Sequence, residues 1–178
     1  MNKLSIAVIG ILIAAGPAIA AKPINISITP DVALFTRNVQ IDGLLIGLWN
    51  ENPQRALALG IVNGSTGDSG GLSLALVLNY ADDYTGIHWA PINYTKGDFS
   101  GWQAGVLNHA GGTMKGLQTG AVNYAKRLNG LQLGVFNYAE TVDAGLQLGL
   151  LNIMPQNEWF TGLPNELAPG MIFVNWRF

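Results

Sequence analysis

With 178 residues, 49% of them hydrophobic and only 11% charged, the chain is long enough for one domain, yet it falls well short of the roughly 25% charged residues usual in a soluble protein. Nine basic residues against eleven acidic, a net charge of −2, argue against a nucleic-acid partner, and the lack of cysteine excludes disulfides, thiolate metal sites and a lipid-modified N-terminal cysteine. Mean hydropathy is +0.27 although no second long apolar helix is readable, so apolar surface needs a sink beyond one small core.

Residues 1–20 read as a secretory signal peptide. Lys3 is followed by an apolar run from Leu4 to Ala15, the helix-breaking Gly16-Pro17 and the small-residue sequence Ala18-Ile19-Ala20, with cleavage expected after Ala20. The run is short for a membrane-spanning anchor. Residues 21–178 then form a single repeat-built β domain, which without Lys3 carries eight basic and eleven acidic residues.

A short strand is expected over Ile24 to Thr29, followed by a longer segment from Asp31 to Asp42. The repeat begins at Gly43. Eight copies of an eight-residue block close on Asn50, Asn63, Asn79, Asn93, Asn108, Asn123, Asn137 and Asn152, and its cleanest copy is GLQLGLLN, Gly145 to Asn152. With its connector each copy takes about fifteen residues. No Asp, Glu, Lys or Arg falls inside any block.

Within a block the period is two. Positions two, four and six are mostly apolar, as in Leu131, Leu133 and Val135. Position three carries Gln103, Gln118, Gln132 and Gln147 in the later copies, and position five is Gly or Ala throughout. Such alternation is a strand signal, and repeated Gly argues against helix. The third copy needs one extra residue, Val77, as a β-bulge does, and Pro91 predicts a local irregularity in the fourth. Connectors rich in Gly, Asp, Asn, Ser and Thr read as turns. A segment from Pro155 to Leu167 and a last strand over Met171 to Phe178 complete about ten strands.

Two architectures accommodate this repeat. The leading expectation is an all-β, antiparallel, up-and-down outer-membrane barrel of about ten strands, with leucines on lipid and the four glutamines lining a narrow lumen; the two longer segments would then lie outside the cell. Trp176 and Phe178 on the final strand fit the C-terminal insertion signal of such barrels, which makes outer-membrane lipid and barrel-assembly machinery the expected partners. The alternative is a parallel β-solenoid with coils of about fifteen residues, for which a stacked Asn ladder is a natural device. Either way the leucine face is expected to be covered, so Arg at Leu133 should harm more than Arg at Gln132.

The repeats, the start PINISITPDVALF and the ending VNWRF resemble a family of bacterial surface repeat proteins described from Leptospira, whose copies read GLQIGLVN followed by a turn. The first and fourth copies depart from that motif by lacking Gln. The resemblance covers nearly the whole mature chain and implies surface or outer-membrane placement in a Gram-negative-type bacterium, with no activity or catalytic residues to carry over.

No chemistry-bearing constellation stands out. His88 and His109 form no paired zinc motif, Asp82-Asp83 reads as a solvated turn, and no nucleophile elbow or triad spacing occurs. No enzyme activity, metal or cofactor is therefore expected. The glutamines are candidate contacts for water, sugars or another extracellular ligand, or else a self-satisfying amide row. Trp49, Trp89, Trp102 and the tyrosines at 80, 94, 124 and 138 are candidate interface anchors. The expected role is structural, or contact with host or environment, with a surface-attached solenoid scaffold as alternative and a small pore or membrane-embedded enzyme as a minor one.

Overall fold

The computed structural model describes residues 21–178; the signal-peptide reading lies outside them. These residues are all-β, in the order β1 (Lys22–Thr29), β2 (Val32–Ala33), β3 (Ile41–Glu51), β4 (Arg55–Trp89), β5 (Ile92–Thr95), β6 (Phe99–Ala104), β7 (Leu107–Ile153) and β8 (Gly170–Arg177). β4 and β7, of 35 and 47 residues, are far longer than any straight strand in a small domain, because extended backbone continues round the corners of successive coils.

Pairing identifies the architecture. Leu44 lies beside Leu57 and Asn50 beside Asn63, Ile87 beside Trp102, and Trp102 beside Leu117, every one of these ladders parallel. Equivalent residues of successive copies therefore stack, 13 to 15 residues apart. The protein is a β-solenoid, which corrects the barrel expectation: a barrel would pair neighbouring copies antiparallel. Among the described residues antiparallel pairing is confined to the two ends, β1 with β2 and β7 with β8.

Which face is inside is the second correction. The position-three residues Leu45, Ala58, Ser73, His88, Gln103, Gln118, Gln132 and Gln147 are all buried, and so is every block Asn. The leucine face points outward: Leu57, Trp102 and Leu148 are exposed, and Leu131 and Leu133 are half-buried. The apolar core comes instead from the connectors. Tyr84, Phe99, Met114, Leu128 and Val142 pack with Ala81, Ala110, Ala125, Ala139 and Met154 in one interior cluster. A second cluster under the N-terminal end joins Val39, Ile41, Leu45, Ala56 and Ala58, with Phe35 against it.

Coil corners explain the remaining block positions. At six and seven two consecutive side chains point outward, as Val135 and Phe136 do, so the chain bends there. The third copy accommodates Val77 at this corner, where both Leu76 and Val77 are exposed. At Pro91 the ladder is interrupted, since proline offers no N–H, and its carbonyl accepts from Val106 and Leu107 N–H at 2.8 and 3.0 Å.

Both ends are capped. The segment Asp31 to Asp42, expected as an extracellular loop, folds over the first coil: Asn52 Nδ2 donates to Thr36 and Val39 carbonyls, Arg37 pairs with Asp31 at 2.7 Å, and β2 lies along β1. At the other end β8 reverses onto the last coil, Leu146 beside Trp176 and Leu148 beside Val174. The segment 155–167 then covers its far edge, with Asn157 Nδ2 donating to the Trp176 carbonyl and Glu166 pairing with Arg177. Such caps remove the open edges on which further strands would add. Trp176 and Phe178 thus belong to a cap that closes no barrel, and Phe178 is exposed.

Candidate functional site

Two amide ladders run through the interior. In the first, the Asn Nδ2 of one coil donates to the Asn Oδ1 of the next, from Asn79 through Asn93, Asn108, Asn123 and Asn137 to Asn152, at 2.8–3.0 Å. Asn50 and Asn63 make the same bond at 2.8 Å. The run breaks between Asn63 and Asn79 at the coil that carries the extra residue; there Ser73 Oγ donates to Asn79 Oδ1 instead. Most block Asn also donate to the position-four carbonyl of the following coil, as Asn123 does to Leu133 and Asn137 to Leu148, both at 3.0 Å. This second bond satisfies a carbonyl at the corner, where a buried unpaired acceptor would be costly.

The second ladder joins the four predicted glutamines. Gln118 donates to Gln103, Gln132 to Gln118 and Gln147 to Gln132, at 2.7–2.8 Å. Each Nε2 donates also to the backbone carbonyl six residues onward, that of His109, Tyr124, Tyr138 or Ile153. This ladder donates toward the N-terminus and the Asn ladder toward the C-terminus, so their amide dipoles oppose. All four glutamines are fully buried, their amides facing each other and the backbone, with Gln103 donating also to Thr95 Oγ1 and Gln147 Oε1, at the end of the column, left without a partner.

His88 heads the glutamine column and is buried with it. Its ring lies 4.0 Å from that of Tyr84 and 5.1 Å from that of Phe99, centroid to centroid. Burial holds its pKa down at about 3, so the imidazole is neutral across the physiological range. Neither His88 Nδ1 nor the Tyr84 hydroxyl has a hydrogen-bond partner, and burial pushes the Tyr84 phenol well above its ordinary value. No group of His, Asp or Glu among the described residues is arranged to hold a metal, and the carboxylates of Asp82 and Asp83 accept from the backbone N–H groups of Gly67 and Asp98, each 15 residues away.

On the outside, the residues after the block Asn form an aromatic stack. Tyr94, His109, Tyr124 and Tyr138 lie ring on ring, at 4.7, 4.7 and 5.7 Å and within 14° of parallel. Since the rings cover one another's faces, this rank braces the coils. Tyr124 also donates to Glu140 at 2.5 Å, and that bond, ahead of partial burial, lifts its pKa to about 12. Trp49 donates to the Tyr80 hydroxyl at 3.0 Å, and Trp102 to Thr119 Oγ1 at 2.8 Å.

What remains open to a partner is the sheet that the block residues form. Its outward ranks continue past the repeats onto both caps: Ile24 and Ile26 of β1 align with Leu44 and Ile46, and Val174 and Trp176 of β8 with Leu148 and Leu146. A groove of about 730 Å³ runs along the corner, floored by the small position-five residues Gly47, Gly60, Ala75, Ala90 and Gly105 and walled by Leu76 and Trp89 among others. No charged side chain lines it. The connectors, by contrast, carry Lys96, Asp98, Lys126, Arg127, Glu140 and Asp143 on the rest of the circumference. The alternation identified this face; its exposure was missed because alternating leucines ordinarily mark the covered side.

No protein-family model matches the chain, and neither a curated protein nor a solved structure matches it.

Proposed function

We propose that this protein is an exported, non-enzymatic β-solenoid that works as a binding scaffold at a bacterial cell surface. The observation that carries the reading is the division of labour within each coil: hydrogen-bonding capacity is consumed by the internal ladders, while the outward sheet repeats one apolar pattern from β1 to β8. A rigid, periodic surface without a nucleophile and base pair suits contact rather than turnover. The apparent leader over residues 1–20 and the resemblance to bacterial surface repeat proteins support the location. Engagement of barrel-assembly machinery presupposes a closing strand, and β8 closes nothing. Attachment to the outer membrane then runs through surface contact.

The test is accessibility on intact cells. The scaffold is expected to be cleaved by added protease or labelled by antibody on whole cells, and to leave washed membranes in carbonate without detergent. Recovery in the cytoplasmic fraction would overturn the location, and release only by detergent would overturn attachment by surface contact.

A further inference from the structure

The outward apolar sheet is too large to be left bare. Its ten rungs, β1, the eight blocks and β8, span ~43 Å at the ~4.8 Å spacing of paired strands, and positions two to seven span ~17 Å at ~3.3 Å per residue. That is roughly 700 Å² of contiguous apolar surface, its position-seven edge lying past the bend, above the roughly 300–600 Å² of the largest apolar patch on a typical monomer. It is close to the roughly 800 Å² that each partner contributes to a stable protein–protein interface.

We infer that a second copy of this chain covers it, the two sheets packing face to face as in a β-sandwich. Three features favour a copy over a lipid surface. The sheet repeats its outward side chains in register from coil to coil, Leu44 beside Leu57 and Trp102 beside Leu117, and ribbed sheets interdigitate at about 10 Å. Its ridge and groove lie side by side, Leu76 at 74% and Trp89 at 63% exposure flanking the groove floored by Gly60 and Ala75, so a twofold axis sets the ridge of each copy against the groove of the other. The chain's net charge of −2 adds no attraction to an anionic bilayer, which a lipid-docking face ordinarily gains from basic residues at its border.

The test uses the exported protein, purified and followed by sedimentation over a concentration series. A dimer is expected at about 10 µM. The double variant Leu76→Arg, Leu150→Arg changes two strongly exposed side chains, so it should keep the circular-dichroism spectrum and melting temperature while weakening dimerisation at least a hundredfold. Because the chain has no cysteine, Leu76→Cys should cross-link to its copy through a short bis-maleimide, and Lys126→Cys, on the charged side, should not. A monomer at all concentrations overturns the inference. So does a wild-type protein that floats with phosphatidylcholine vesicles as a monomer, which would make lipid the occupant. Cross-linking through Lys126→Cys alone would place the interface on the wrong face.

Discussion

The side-chain amide of Asn137 occupies the space that a methyl group on Gly149 would need: a Cβ built on Gly149 comes within 2.6 Å of Asn137 Nδ2 and overlaps the carbonyl oxygen of Gly134. The same relation links Gly120 to Asn108 and Gly134 to Asn123, at 2.7 and 2.6 Å. Two constant features of the repeat, a small residue at position five and Asn at position eight, are therefore one feature seen from two coils. At these Gly positions the Asn amide fills the space a methyl group would take, whereas the coils that carry Ala75 and Ala90 accommodate one.

Gly149→Ala should consequently destabilise the C-terminal coils by about 2–3 kcal/mol, the usual range for overpacking against backbone that cannot move aside. Gly67→Ala makes a useful contrast, because nothing lies within 4 Å of its Cβ and any cost there comes from a φ of 62° alone. Urea denaturation of both variants measures the difference. Equal losses would show that the corner has room and that the Gly and Asn positions are not coupled.

Asn137→Ala removes a link in mid-ladder. It leaves the Leu148 carbonyl and Asn152 Oδ1 without the donor that now serves both. At about 1–3 kcal/mol for each of the two buried groups left unsatisfied, a loss of about 2–6 kcal/mol is expected. Asn129→Ala, at an exposed connector position, should fall within about 0.5 kcal/mol of wild type. Since solenoid coils interact with nearest neighbours, hydrogen exchange should show the loss concentrated at the coils that meet Asn137 and its partners.

Much of this frame was legible from residues alone: the period, the two sets of positions that share a face, the presence of an extra residue at Val77, though read as a bulge within a strand and not as part of a corner, and the break at Pro91. The inside and outside of the coil were not. Burial of Leu over Gln is the ordinary expectation, because an isolated amide loses its water bonds on burial. Stacked parallel coils remove that penalty, since Gln132 finds Gln118 and Gln147 at the same height in the neighbouring coils. The signal that decides the matter lay in the connectors, where Phe99, Met114, Leu128 and Val142 recur 14 or 15 residues apart and Ala110, Ala125 and Ala139 keep step with them. Those residues supply the apolar core that a water-filled lumen would not need. The glutamine column read from the residues either as ligand contacts or as a self-satisfying amide row, and the amide-to-amide bonds match the second.

His88 predicts an acid-sensitive stability. Its pKa is about 3 in the folded chain against an ordinary 6.5, so between those values the unfolded chain binds a proton that the folded one refuses. Stability contributed by the neutral ring is complete above pH 6.5 and lost as pH falls toward 3, at up to about 1.4 kcal/mol per pH unit. His88→Gln should flatten that slope. The new side chain continues the column, with its amide placed to donate to the Tyr94 carbonyl as Gln118 does to that of Tyr124. Melting temperatures of both proteins from pH 7 to 4 provide the check; parallel curves would mean that His88 titrates normally and is not enclosed.

The central claim is the orientation of the coil, with amides inside and leucines outside. A pair of single substitutions at adjacent residues tests it most directly. Gln132 is 0% exposed and bonded within the ladder, whereas Leu133 is half-buried on the outer sheet. Gln132→Arg places an unpaired charge in the interior and should abolish the cooperative melt and the β-type circular-dichroism spectrum. Leu133→Arg should retain the spectrum, with the melting temperature lowered by a few degrees at most. The reverse order, a folded Gln132→Arg and a collapsed Leu133→Arg, would contradict the solenoid described here and restore a leucine face that meets lipid.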